Sequence, residues 1–428
     1  MAGTENLHKI SFFDILCLGT NAIIGSGIFL LPGLLVRETG PASIAAFAVC
    51  GTLLVSVALC YAELGSIFTR NGGSYVYARE AFGPGVGFGV GWISWVTSIF
   101  SWAAVANAVS SYLGYFHQAF DSPWGSKAVA GCLVVVFGMI NYRGIRLGAW
   151  TVNVFTIGKI IPLALFAAVG IFHLRPENFH PFLGAGHGTF GYAVFLALWS
   201  LQGFEVTPLA AGEARDPQRA VPFAAVGSLL FSTLFYILIQ TVVVGVAGPE
   251  VSADRPLVQV AAVFFGSAGA VLIACGAVVS MIGYNAGNAL GSPRFLSALA
   301  EDRFLPRRFC TSHPRFFTPS LAIVATTALT LAATLLLDFV SLITISNLVV
   351  IVQYLSTCAA VIWLRRRRPD LERRFTIPAG TAVALAGCAV SLWLVQQVRL
   401  QEVMLVLAIL AAGFVFLGLY RLARRFGA

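Results

Sequence analysis

Twelve long apolar stretches follow one another along this chain, separated by short segments that hold most of its charged residues. They fall at 12–35, 41–66, 86–117, 126–142, 150–172, 189–211, 222–247, 257–288, 319–337, 340–364, 376–397 and 402–420. A helix rises about 1.5 Å per residue, so roughly 20 apolar residues cross about 30 Å of hydrocarbon. The pattern predicts an all-α membrane protein with twelve transmembrane helices in one polytopic domain over residues 1–428. Composition agrees: 58% of the 428 residues are hydrophobic and 11% charged, where an average soluble domain carries about 25% charged residues. A soluble fold is excluded.

An even number of spans puts both termini on one side. If that side is the cytoplasm, twenty-one Lys and Arg residues lie inside, among them Lys9, Arg70, Arg146, Arg215 and the run RRRR at 365–368. Only Arg37, Lys127, Arg175, Arg255 and Arg399 lie outside. This asymmetry predicts a multi-pass protein of the inner (cytoplasmic) membrane with both termini cytoplasmic. The formal charge of +9 is then a mark of orientation. Nucleic acid is not expected as a partner, whereas the RRRR run suits a stop-transfer anchor in contact with anionic membrane lipid. Eight cysteines without a CxxC pair argue against a disulfide framework or a zinc site. The six histidines lack ligand spacing, so neither metal nor cofactor is expected. No ATP-binding GxxxxGK[ST] occurs, which leaves a gradient or exchange as the energy source. The N-terminus, MAGTENLHKI, shows no removable signal peptide.

Two spans carry breaks. The first reads LGTNAIIGSGIFLLPGLL, with Gly25, Ser26 and Gly27 near its centre, and these are poor helix formers. Backbone groups freed inside hydrocarbon need partners, which suggests a polar cavity, although a small-residue packing face fits the same glycines. The sixth reads FLALWSLQGFEVTPLAAGEARDP, with Ser200, Gln202, Gly203 and Glu205 in close succession before Pro208. Spans 1 and 6 hold equivalent places in two five-span halves, 12–172 and 189–364, with 376–420 added as two further spans. Interrupted segments at matching positions predict a 5+5 inverted repeat with a binding site between the breaks. Amides of Ser26 and Gly27 at a half-helix N-terminus favour an anion, and unwound carbonyls near Ile23, Trp199 and Ser200 favour a cation. A free amino acid satisfies both. Its side chain is expected to meet Ser98, Trp102, Trp199, Ser200 and Asn288. An intramembrane enzyme would need a nucleophile–base or metal constellation, and a channel a continuous polar pore; the sequence offers neither.

Four motifs in order resemble the amino acid–polyamine–organocation (APC) transporters over most of the chain. They are NAIIGSGIFLLP in span 1, NGGSYVYAREAFGP at 71–84, GEARDPQRAVP at 212–222 and GSPRFLSALAEDRFLP at 291–306, the stretch after span 8. The second departs from the family pattern, because Arg70 and Asn71 stand where a proline is usual. The resemblance implies the leucine-transporter fold with broken helices 1 and 6, alternating access, and a substrate carboxylate cradled by the GSGIF segment. LWSLQGFE at 198–205 is similar to a stretch in which an aromatic covers the substrate and a glutamate takes part in proton-linked behaviour, roles implied here for Trp199 and Glu205.

Lys159 lies about nine residues inside span 5, roughly 13 Å deep, beyond easy snorkelling. Burial disfavours a charged ammonium, so this residue is a candidate proton carrier; a purely structural tie to carbonyls around Gly25 is the alternative. The resemblance implies that its ammonium stands in place of a sodium ion beside span 1, so sodium coupling is not expected. Glu205 is the second candidate for proton coupling, with capping of unwound amides as its plain alternative. Glu63 and Glu213, near cytoplasmic span ends, are expected in gate or loop salt bridges, and Asp14 as a cap of span 1. The sequence therefore predicts a secondary transporter of small or medium neutral amino acids, coupled to protons. An exchanger, or a carrier of cationic amino acids or polyamines, is the alternative.

Overall fold

The computed structural model describes residues 11–68, 72–144 and 149–426; Lys9, Arg70, Asn71 and Arg146 lie outside the described residues. Fourteen α-helices are named in chain order: α1 Phe12–Ile23, α2 Gly27–Thr39, α3 Ser43–Ile67, α4 Ser74–Phe82, α5 Pro84–Leu113, α6 Pro123–Tyr142 and α7 Ala149–Gly170. They continue with α8 Phe190–Leu201, α9 Pro217–Ala247, α10 Pro256–Glu301, α11 Ser320–Leu336, α12 Phe339–Arg367, α13 Gly380–Val395 and α14 Leu400–Phe426. Among the described residues, eight helical stretches are long and apolar enough to cross a membrane, the first of them, Phe12–Ile67, covering two of the expected spans. Ser320–Leu336 and Gly380–Val395 are shorter apolar helices.

Prolines set where several helices begin. Pro84, Pro123, Pro217 and Pro256 open α5, α6, α9 and α10, because a first-turn N–H needs no intrahelical partner and the ring presets φ. The expected span start at 222 therefore moves back to Pro217, and Pro222 sits inside the helix. The N-terminus of α1 is a capping box: the Ser11 hydroxyl accepts from the Asp14 N–H at 3.2 Å while Asp14 Oδ2 accepts from the Ser11 N–H at 2.8 Å. Span 8 was expected to end at 288, but α10 runs on to Glu301, bent at Gly266 with φ 64°. Leu296, Leu299 and Ala300 are buried in that extension, so an apolar face carries the helix through what the sequence presents as the segment after the span.

α5 lies between α10 and α12, and α3 lies along α9. α1 leans on α9 and α7, and α2 on α8. Small residues permit the close crossings: a side chain at Gly19 would strike Ser228 of α9, and one at Gly51 would strike Thr233 of the same helix. α14 stands at the periphery with large apolar side chains exposed, among them Val415, Leu419 and Leu422.

Ion pairs stitch the helix ends. Arg79 of α4 pairs with Asp302 just beyond α10, and Asp302 also accepts from the Tyr75 hydroxyl. Burial and the Asp302 carboxylate together push the Tyr75 phenol up. Glu63, 1% exposed near the end of α3, accepts from Arg365 Nη2 at 2.5 Å and Nε at 2.8 Å. It also faces Arg373 at 3.6 Å and accepts from the Ile377 N–H at 3.0 Å. The salt-bridge role expected for Glu63 is thus seen, while the Glu213 side chain lies outside the described ones. Glu63→Ala should destabilise the protein by about 3 kcal/mol, the lower end for a broken buried pair, since Arg365 keeps some exposure. Thermal melting in detergent checks this; a wild-type melting temperature would refute it.

Candidate functional site

The first interruption spans three residues. α1 ends at Ile23 and α2 begins at Gly27. The Ile24 N–H still reaches Thr20 O at 2.8 Å, but Gly25 folds back onto Ile23 O at 2.9 Å. The next helix starts with the Phe29 and Leu30 N–H groups on Ser26 O. By helix geometry the last carbonyls of α1 and the first amides of α2 lack intrahelical partners.

Side chains from distant helices meet part of that need. Lys159 of α7, 3% exposed, donates to Ile24 O at 2.5 Å and to Asn21 O at 3.2 Å. Tyr236 of α9 donates to Ile23 O at 2.9 Å; Tyr112 of α5 adds a bond to Phe29 O, a carbonyl already inside α2, at 2.5 Å. Ile23 O, with donors from both Tyr236 and Gly25, has its two acceptor positions filled.

The second interruption follows α8. The Gln202 N–H closes on Leu198 O at 2.9 Å, Gly203 takes φ 131°, and a 3₁₀ segment runs over Phe204–Glu213. Glu205 Oε2 accepts from the Gly203 N–H at 2.8 Å and from the Tyr354 hydroxyl at 3.1 Å. The carboxylate therefore caps its own irregular segment. Gln202 Nε2 donates to Asn347 Oδ1 at 3.0 Å, and Asn347 Nδ2 donates to Phe195 O at 2.7 Å, so α12 holds the end of α8.

The two interruptions touch. A Cβ on Gly27 would lie 2.8 Å from Ser200 Cα, and one on Gly203 would lie 2.7 Å from Ile23 N and from Ala22 C. Gly27 and Gly203 are thus the points at which two backbones meet, and the positive φ of Gly203 adds a second requirement for glycine. Ser26 and Ser200 are buried at this junction, and among the described residues neither hydroxyl has a hydrogen-bond partner.

The expected residues do not all converge. Gly25 faces the ring of Tyr284 of α10 at 3.2 Å from its Cβ position. The Tyr284 hydroxyl has Asn288 and Ser101 as hydrogen-bonding neighbours, and Ser101 in turn meets Ser346 at 2.9 Å. Asn288 therefore reaches the site through Tyr284. Trp199, buried, precedes Ser200 at the end of α8. The Ser98 hydroxyl donates to Trp95 O at 2.6 Å within its own helix. Trp102 is fully buried in a separate cluster with Ala106, Ala130, Val134 and Ala289. A cavity of about 770 Å³ runs along the N-terminal part of α1, between it, α7 and the start of α9, with Ser11, Cys17, Thr20, Thr156 and Ile160 on its walls; among the described residues, none from either interruption lines it.

Tyr236, Tyr112, Tyr284 and Asn347 escape a reading of the sequence. Each looks like a packing residue in an apolar run, and only Tyr284 offers a local signal, its four-residue spacing from Asn288 on one helix face.

The amino acid permease family profile matches residues 10–416. The serine/threonine exchanger SteT of Bacillus subtilis is 30% identical over 410 residues, covering 92% of each chain. The methylthioribose transporter of the same organism is 28% identical over 407 residues, 90% of this chain and 87% of the relative. Its branched-chain amino acid permease BcaP is 28% identical over 449 residues, 98% of this chain and 94% of the relative. With that coverage, and with apolar helices of membrane-crossing length throughout, the chain belongs to the amino acid permease family of the APC superfamily, multi-pass membrane transporters and not enzymes.

Proposed function

We propose that this permease is a secondary transporter of small or medium neutral amino acids, working by alternating access across the cytoplasmic membrane with both termini inside. Its twelve spans are read as two five-span halves, 12–172 and 189–364, related as inverted repeats, with 376–420 added. The observation that carries the proposal is the junction of the two interruptions, where Ser26 and Ser200 hold buried, unpartnered hydroxyls. The start of α2 supplies the positive end of a helix dipole, so the Ser26 and Gly27 amides with the Ser26 hydroxyl receive the carboxylate. Ile23 O is already engaged by Tyr236. The ammonium is therefore assigned to the closing carbonyls of α8, at Trp199 and Ser200, where the dipole is negative. Tyr284, Asn288, Ser98 and Trp199 form the proposed side-chain wall, and Trp102 is read as packing between α5 and α6.

A neutral side chain is favoured because Glu205 Oε2 is committed to Gly203 and Tyr354; a cationic substrate would have to draw Glu205 away from them. Lys159 supports sodium independence, since its ammonium occupies the carbonyls of Asn21 and Ile24 that a metal cation would need. Loss of its proton would weaken both contacts and loosen the end of α1, which links protonation to the first interruption. Exchange is the second reading, favoured by the similarity to a serine/threonine exchanger.

Uptake of a panel of labelled amino acids into proteoliposomes tests the proposal. Saturable uptake of neutral members should rise with an inward proton gradient. In Lys159→Ala, and in Lys159→Gln, which keeps a donor, gradient-driven accumulation should fall at least tenfold while counterflow persists. Accumulation unchanged in both variants would end proton coupling through Lys159, and transport restricted to lysine or arginine would end the neutral reading.

Gly27→Ala drives a methyl into Ser200. Overpacking of this kind costs about 1–3 kcal/mol, so substrate affinity should drop about tenfold or more by scintillation proximity binding. Gly287→Ala, where the added methyl meets nothing within 4 Å, serves as control. Wild-type affinity in Gly27→Ala would remove the junction from the binding site.

A further inference from the structure

Four arginines converge where α10 and α14 end. Arg303, Arg307 and Arg308 follow α10, Arg424 lies in the last turn of α14, and with Pro306 and Tyr420 they line a cavity of about 480 Å³. All four arginines are exposed. Among the described residues none of their side chains takes part in an ion pair or hydrogen bond, and no acidic residue lines the cavity. The neighbouring Asp302 is engaged by Arg79 and Tyr75, and Glu301 points into none of this lining.

The cavity adjoins an exposed apolar helix face. α14 presents an exposed stripe of Val415, Leu419 and Leu422 at helical spacing, running toward the level of Tyr420 and Arg424. An apolar stripe that ends in clustered guanidinium groups matches the two halves of a phospholipid: acyl chains along the helix, phosphate oxygens on the planar forks of arginine. Four positive charges exceed what one phosphate neutralises. We propose that this cavity binds the headgroup of an anionic phospholipid carrying two phosphates. It lies at the molecular face that the charge asymmetry assigns to the cytoplasm, where basic pockets between membrane helices meet anionic headgroups. A lipid held there bridges the end of α10, the helix whose Tyr284 covers Gly25, to the peripheral α14.

The test uses the purified full chain in neutral detergent, titrated with cardiolipin, phosphatidylglycerol, phosphatidylcholine or inorganic pyrophosphate. Native mass spectrometry counts bound lipid and melting reports stabilisation. One retained cardiolipin per chain is expected, with phosphatidylglycerol weaker and phosphatidylcholine and pyrophosphate without effect. Each surface arginine near a charged headgroup accounts for roughly fivefold in affinity, so Arg307→Gln/Arg308→Gln/Arg424→Gln should weaken cardiolipin about a hundredfold. Arg366→Gln/Arg367→Gln/Arg374→Gln, which removes the same charge elsewhere on that face, should change it less than threefold. If the first triple variant does not elute as a single species, Arg424→Gln alone should show the fivefold loss. Equal losses in both triple variants, equal binding of the one- and two-phosphate lipids, or stabilisation by pyrophosphate matching that by cardiolipin would each overturn the proposal, the last by making the site one for a soluble anion.

Discussion

Backbone groups freed inside a membrane must find partners within the protein, and this constraint organises the centre of the molecule. The three residues between the helices, Ile24 to Ser26, leave carbonyls at the end of α1 and amides at the start of α2 without intrahelical partners. An unsatisfied group of this kind costs several kcal/mol in hydrocarbon. Lys159 and Tyr236 supply donors from two different helices to the freed carbonyls, so the break holds α7 and α9 in fixed relation to α1. Donors on the carbonyl side are thus plentiful, whereas the amide side has only the hydroxyls of Ser26 and Ser200 nearby. The proposed substrate carboxylate would answer that imbalance.

α12 is the second organising element. Along one helix it places Asn347 against Gln202 and Phe195, Gln353 against Ser74, Ser94 and Thr97, and Tyr354 against Glu205. Its last turn sends Arg365 to the buried Glu63. A rigid helix carrying these contacts keeps the irregular segment after α8 at a constant position while tying α4, α5 and α3 to the same frame. Polar pairing of this sort is effective only when each member is satisfied, and Gln353 uses both ends of its amide. α8 and its 3₁₀ continuation are thus fixed by side chains of α12, whereas α1 is held by its packing on α9 and α7 together with Lys159 and Tyr236.

Much of this was legible in the sequence for a simple reason: in a membrane protein, length and apolarity identify helices, and the few polar interruptions stand out against them. Gly25, Ser26, Gly27, Gly203, Lys159 and Glu63 were all visible as departures from an apolar background. Helix ends were less so. The extension of α10 to Glu301 depends on Leu296, Leu299 and Ala300 finding an apolar surface, which is a tertiary fact. Tyrosines were the main omission. In a run such as LFSTLFYILIQT nothing distinguishes Tyr236 from a packing aromatic, because its partner, Ile23 O, belongs to a segment more than two hundred residues away. A freed carbonyl announces that a donor is needed without saying which helix brings it.

The same logic separates the roles of the two buried ionisable groups at the junction. Glu205 is bound to its own segment, through the Gly203 N–H two residues away, and to the anchored α12 through Tyr354. A change in its charge acts first within one side of the junction. Lys159 has no carboxylate among its hydrogen-bond partners and reaches across from α7 to the C-terminal carbonyls of α1, where a helix dipole favours a cation. Its charge therefore acts between elements rather than within one. An event that removes that charge weakens the Lys159 contacts to Asn21 O and Ile24 O and leaves the Tyr236 bond to Ile23 intact. The proposed coupling rests on Lys159 rather than Glu205 for this reason: its contacts join two helices, whereas those of Glu205 stay with the segment after α8 and α12.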